Sequence, residues 1–170
     1  SIDGPREFHD RYRVDKGQNP TVDRVYAGLQ TLKRHEIEFN TLTVLQNHNA
    51  DHPLEIYQFL REEGSGFMQF IPIVERSADQ PDDDGLELVD PTFEGKALVT
   101  RWSVGSSQYG RFLCRIFDEW VRRDVGRVFI QMYDTALGSW MGPDPSLCIF
   151  SRTCGKALII EHNGDFSSCD

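Results

Sequence analysis

The chain has 170 residues, 39% of them apolar and 11% aromatic, which suits one globular domain or a slice of a larger one. Its 27 carboxylates against 18 Lys and Arg leave a formal charge of −9, which excludes the basic footprint of a nucleic-acid binder. No apolar run approaches the roughly eighteen residues of a membrane span, so no membrane contact is expected, and the cysteine spacing suits a reduced, cytoplasmic chain.

Ser1-Ile2-Asp3 reads as the end of a strand stopped by Gly4-Pro5. The charged stretch from Phe8 to Asp15 reads as a loop with a helical turn. Thr21 is a candidate N-cap, and Val22, Val25, Leu29 and Leu32 recur at helical spacing. Ile37, Phe39, Thr41 and Thr43, with the run to Leu45, read as a strand. Pro53 opens a helix with an apolar face of Leu54, Ile56, Tyr57, Phe59 and Leu60, and Gly64-Ser65-Gly66 ends it. Phe67 to Pro72 is a second buried strand. The alternation predicts an α/β fold with a parallel sheet or barrel.

The acidic stretch from Ser77 to Lys96 contains Asp82-Asp83-Asp84-Gly85 but lacks the spacing and closing Glu of a calcium loop, so it reads as a solvated surface excursion. The clearest helix runs from Gln108 to Val125, with Phe112, Leu113, Ile116, Phe117, Trp120 and Val121 as its stripe, Cys114 packed on or beside it, and Gly126 as its stop. Val128 to Met132 reads as a short strand and Thr135 to Met141 as a helical turn.

Three of the four cysteines crowd the last residues as Cys148-x5-Cys154-x14-Cys169, followed directly by Asp170. Asn163-Gly164 between apolar runs is a hairpin signal. As a two-residue turn it sets Cys169 opposite Leu158 and draws the thiols together. Such convergence points to an incomplete metal or iron–sulfur site, with Cys114 far in sequence from the other three. Asp170 beside it is a candidate general base or a plain exposed acid. Parallel α/β folds bind ligands at the carboxyl ends of strands, which draws attention to Ser1, Asp3, Arg13, Asn40 to Thr43, Gln69, Ile73, Val74 and Glu75. A Ser hydroxyl and an Arg guanidinium can jointly hold a carboxylate. The pair His48-x3-His52 is a weak zinc candidate, and His162 reads as solvated.

These residues resemble the anaerobic sulfatase-maturating enzymes, a radical S-adenosylmethionine family with a cysteine-rich extension of the SPASM type. The landmarks are Ser1-Ile2-Asp3-Gly4-Pro5, His9-Asp10-Arg11-Tyr12-Arg13, Phe39-Asn40-Thr41-Leu42-Thr43-Val44, Gln69-Phe70-Ile71-Pro72 and the cysteine segment ending Cys169-Asp170. The resemblance implies about strands four to six of a partial (β/α)6 barrel over residues 1–76. A linking region follows over 77–142, with its long helix at 108–125, and the cysteine-rich extension with its β-hairpin opens over 143–170.

It further implies reductive cleavage of S-adenosyl-L-methionine at a [4Fe–4S] cluster. The 5′-deoxyadenosyl radical then takes a hydrogen from Cβ of a sulfatase Cys or Ser, leading to Cα-formylglycine. Ser1 and Arg13 look like contacts to the carboxylate or ribose region of S-adenosylmethionine, and Val74 like the apolar contact to its adenosyl end. Cys148, Cys154 and Cys169 look like three ligands of an auxiliary [4Fe–4S] cluster, and Asp170 like the base that deprotonates the target side chain. A sulfatase polypeptide is the implied substrate, and flavodoxin or ferredoxin the implied electron donor.

The chain carries no Cys-x3-Cys-x2-Cys, the motif that holds the radical cluster. An internal fragment, inactive alone, is therefore expected. A related maturase acting on another peptide and a non-enzymatic module with structural zinc are the alternatives.

Overall fold

A computed structural model describes residues 1–79, 88–90, 92–142, 144–145, 147–153 and 158–167. The chain divides into two compact units, Ser1–Val128 and Phe129–Asp170. The acidic run Asp82-Asp83-Asp84-Gly85 lies outside the described residues, as do Cys154, Cys169 and Asp170.

In the first unit the opening residues run alongside β1 (Thr41–Leu45), with Ile2 N–H donating to Leu42 O at 3.0 Å. β1 pairs in parallel with β2 (Phe67–Pro72), from Thr41 opposite Met68 to Leu45 opposite Pro72. Two helices precede them, α1 (Arg6–His9) and α2 (Val22–Arg34), and α3 (Pro53–Glu63) makes the crossover. The parallel pairing and the helical connection are those that the alternating pattern predicts. β1 buries Thr41, Thr43 and Leu45 and turns Leu42 and Val44 outward. Its buried hydroxyls are satisfied: Thr43 Oγ1 donates to Ile2 O at 2.7 Å and Thr41 Oγ1 to Phe67 O at 3.0 Å.

Two glycines are required by close approach. A Cβ on Gly64 would meet Leu60 O at 2.4 Å, and Gly4, at φ +116°, would press one against Ile56 and Phe8.

The stretch after β2 differs from the expected surface excursion. It forms a small antiparallel sheet in which β3 (Arg76–Ala78) lies between β4 (Leu88–Val89) and β5 (Ala97–Val99). These strands are two or three residues long and partly exposed, so they leave no alternating signature. The chain from Thr100 to Gly105 then returns to the strand ends and starts α4 (Ser106–Arg123). α4 begins two residues before the expected Gln108, because Gln108 Oε1 reaches back to accept Gly105 N–H at 3.3 Å.

The α3 and α4 helices pack together. They bury Ile56, Tyr57 and Leu60 from one and Phe112, Ile116 and Trp120 from the other, with Phe70 of β2 edge-on to Phe112 at 5.1 Å. A buried polar tie locks them: Tyr57 Oη donates to Asp124 Oδ2 at 2.6 Å, and Arg61 Nη1 reaches the same oxygen at 3.3 Å. Burial, then the bond to Asp124, pushes the Tyr57 phenol well above its ordinary range. Cys114 is exposed on α4 rather than packed on its apolar stripe.

The second unit holds β6 (Phe129–Ile130), α5 (Gln131–Trp140), a 3₁₀ turn at Cys148–Phe150, and the hairpin β7 (Ile159–Ile160) with β8 (Phe166–Ser167). The hairpin is present, but its register differs by one from the two-residue turn. Ile159 lies opposite Ser167 and Ile160 opposite Phe166. Glu161 N–H donates to Asp165 O, and the three residues between include Gly164 at φ +92°. The placement of Cys169 opposite Leu158 rested on the shorter turn, and Cys169 lies outside the described residues.

Candidate functional site

The polar groups of the first unit converge where β1 and β2 end. Asp3, 1% exposed, anchors them. Its Oδ1 accepts Val44 N–H at 3.0 Å, and its Oδ2 accepts Arg13 Nε at 2.8 Å, with Arg13 Nη2 at 3.4 Å from Oδ1. One edge of the guanidinium is thereby held by a buried carboxylate, while Nη1 keeps no hydrogen-bond partner among the described residues.

His9, also 1% exposed, completes the support. Its Nδ1 faces Asp3 N–H at 3.3 Å and so must accept. Its Nε2 therefore carries the proton and donates to Thr21 Oγ1 at 3.2 Å, while the Thr21 hydroxyl donates to the carbonyl of Arg13. These bonds close a ring through Asp3, His9, Thr21 and Arg13. Thr21 thus spends its hydroxyl on Arg13 instead of capping α2. The cap comes from Asp10, whose Oδ1 accepts the N–H groups of Thr21 and Val22 at 3.0 and 2.9 Å.

Burial holds the His9 imidazole below its ordinary pKa, against the opposing pull of Asp3 and Asp10, and burial does the same at His48. Both rings are thus neutral in the fold and take up protons more readily when the chain unfolds. Stability is then full above about pH 6.5 and is lost as the pH falls below it, by up to about 1.4 kcal/mol per pH unit for each histidine. Thermal unfolding between pH 5 and 8 checks this: His9→Asn should flatten the acid slope, and an unchanged slope would place the titration elsewhere.

A cleft of about 320 Å3 opens at these strand ends, lined by Tyr12, Arg13, Val44, Gln46, Ile73 and Trp102. Trp102 is fixed by its indole N–H on Glu75 Oε2, and its backbone carbonyl accepts Asn47 N–H at 3.0 Å. Val104 N–H on Ile73 O and Thr100 N–H on Glu75 O complete the clamp of this loop on the strand tips. Val74, 61% exposed, lines a neighbouring recess of about 440 Å3 with Glu75, Arg76, Leu88 and Val89.

Among the expected site residues, Arg13 stands in the cleft and Val74 beside it, and Ser1 is exposed with no hydrogen bond to Arg13. Asn40 and Thr41 do not lie at a carboxyl end. β1 starts only at Thr41, so these two sit at its amino end, and Gln46 takes the exit position. Cys148 is an exposed, free thiol in the 3₁₀ turn. No group of three His, Cys, Asp or Glu side chains is placed to hold a metal ion among the described residues. His48 and His52 both pack against the Phe8 ring, His48 also meets Tyr12, and His52 Nδ1 lies 3.2 Å from Glu55 Oε2. Sequence reasoning passed over His9, Gln46 and Trp102.

No family model matches the chain. Over 170 residues, all of this chain and 41% of the other, it is 44% identical to the serine-type anaerobic sulfatase-maturating enzyme of Bacteroides thetaiotaomicron. Along its whole length the chain resembles the anaerobic sulfatase-maturating enzymes. It is also 29% identical over 172 residues to the cysteine-type anaerobic sulfatase-maturating enzyme of Clostridium novyi, again along its whole length and 42% of that protein. The solved structure of native anSMEcpe with bound AdoMet and Cp18Cys peptide superposes with a TM-score of 0.78 at 25% identity, over 99% of this chain and 43% of that one. The chain thus spans about two fifths of the length of these sulfatase-maturating relatives.

Proposed function

We propose that the protein carrying this segment is a radical S-adenosylmethionine oxidoreductase that converts a Cys or Ser of a sulfatase to Cα-formylglycine. The observation that carries this reading is the similarity to sulfatase-maturating enzymes along the entire chain, at 44% identity in one case. On this reading residues 1–76 are about strands four to six of a partial barrel, residues 77–142 the linking region, and residues 143–170 the start of the SPASM-type extension.

The cleft beyond β1 and β2 fits S-adenosylmethionine in chemistry. It offers a guanidinium with one edge unused, aliphatic walls from Val44 and Ile73, and a flat indole. When bound and reductively cleaved, S-adenosylmethionine supplies the radical that takes hydrogen from the target Cβ. Arg13 would hold its carboxylate or ribose region, aimed by Asp3, with the Ser1 hydroxyl as second donor. Val74 would cover the adenosyl end. Asp170 would take the proton of the target thiol or hydroxyl. Cys148, with Cys154 and Cys169, would hold an auxiliary [4Fe–4S] cluster. A flavodoxin- or ferredoxin-type donor and a cytoplasmic setting complete the reading. No helix among the described residues is long and apolar enough to cross a membrane.

The test is to incubate the whole protein, prepared anaerobically, with a reductant, S-adenosylmethionine and sulfatase-motif peptides carrying Cys or Ser. A peptide mass matching the aldehyde supports the reading; a cross-linked or unchanged peptide rejects it. In the same assay Asp170→Asn should cut aldehyde formation by roughly a hundredfold, the scale of a lost general base, and leave 5′-deoxyadenosine release largely intact. Equal loss of both products would remove Asp170 from that role.

A further inference from the structure

Gln46 leaves β1 into the cleft of Arg13 and Trp102. It is 6% exposed, and its backbone is fixed, with its N–H donating to Asn49 Oδ1 at 2.8 Å. Its side-chain oxygen Oε1 is buried and meets no hydrogen-bond donor. His48, packed on Tyr12 of the same cleft, also leaves its ring nitrogens without hydrogen-bond partners among the described residues, but the other polar neighbours are engaged. Asn49 is engaged through both ends of its amide, Asp3 through both oxygens, and Trp102 through its indole nitrogen. A buried acceptor left without a donor, on a residue that lines a cleft, is a place where a bound molecule supplies the missing proton donor.

The cleft narrows the choice of molecule. An open cleft of about 320 Å3 lined by six residues suits a compact ligand better than an extended peptide. Arg13 offers a cation for an acidic group, and a carboxamide oxygen complements a hydroxyl or an ammonium. We propose that Gln46 is a binding residue for S-adenosylmethionine, its Oε1 accepting a hydrogen bond from a ribose hydroxyl or from the methionyl ammonium. This rests on the radical S-adenosylmethionine reading above and assigns that ligand a contact which the sequence did not point to.

The experiment is equilibrium binding of S-adenosylmethionine to the whole, anaerobically prepared, iron-loaded protein and to two variants. Gln46→Leu keeps the bulk and removes the acceptor. It should weaken binding about tenfold, while the ligand-free protein melts no lower than the parent, since an orphaned oxygen is removed. Gln46→Glu keeps the acceptor and should bind within about threefold of the parent, or more tightly if the donor is the ammonium. Repeating the titrations with 5′-deoxyadenosine and with methionine separates the two donors, because each lacks one of them; a Gln46→Leu loss with either supports the proposal. Parental affinity in Gln46→Leu overturns it. So does a variant that binds S-adenosylmethionine normally but loses affinity for the sulfatase peptide, which would hand the oxygen to a peptide N–H. If the parent itself shows no saturable binding, the radical-enzyme reading fails, and the role of Gln46 with it.

Discussion

Asp3→Ala will destabilise the protein by about 3 kcal/mol and weaken ligand binding at the strand ends together with it. The carboxylate is 1% exposed and serves Val44 N–H and two nitrogens of Arg13 at once. Truncation strands the strand amide and releases the guanidinium, which is 38% exposed and can find water. The loss therefore falls at the low end for a broken buried pair. Asp3→Asn keeps an acceptor for Val44 but not the charge, so it should lose about half as much. Urea unfolding of the three proteins measures the difference as a shifted midpoint at constant slope. A loss in Asp3→Ala below about 1 kcal/mol would mean that the ring around Arg13 is not a structural support.

The second large effect lies in the helix pair. Trp120→Ala will cost about 3–5 kcal/mol, the range for deleting a fully buried aromatic side chain. Trp120 is 0% exposed, packs near Phe117 at 5.8 Å between ring centres, and donates its indole N–H to Val128 O at 2.7 Å. Trp120→Phe refills most of the volume but orphans the Val128 carbonyl, so it should cost about 1–2 kcal/mol. Two comparable losses would show that the hydrogen bond outweighs the packing. The same urea series checks it.

The strands and the crossover helix were legible because their signals are local. Leu42 to Leu45 and Phe67 to Pro72 are apolar or β-branched runs closed by turns or proline, and Pro53 and Gly64 bracket α3 in sequence as they do in space. Cys114 was legible too, had the spacing been used strictly. The buried residues of α4 are Phe112, Ile116 and Trp120, and a position two residues from Phe112 faces away from that row.

The rest depends on distant partners. His9 sits among charged neighbours in a stretch that reads as a loop with a helical turn; only Asp3 and Thr21, distant in sequence, make it a buried, tautomer-fixed ring. Trp102 reaches the cleft after an excursion through three short strands, and no local pattern announces that return. Thr21 has the right residue type for a cap, but its hydroxyl is claimed by a carbonyl eight residues upstream. The hairpin shows the same limit on a smaller scale. Asn163-Gly164 marks the turn, but the bond between Glu161 and Asp165 fixes the count of residues in it.

Asp10 reaches the start of α2 from eleven residues upstream. The spacer between them doubles back through the Val14–Pro20 bridge, and Asp15 Oδ1 collects the amides of Gly17 and Asn19 inside it. A helix stoppered from outside its own local sequence does not depend on the length of the spacer. Residues added or removed around Gly17 should therefore leave both the helix start and the guanidinium undisturbed, which makes this bend a natural place for an affinity tag or a fluorophore.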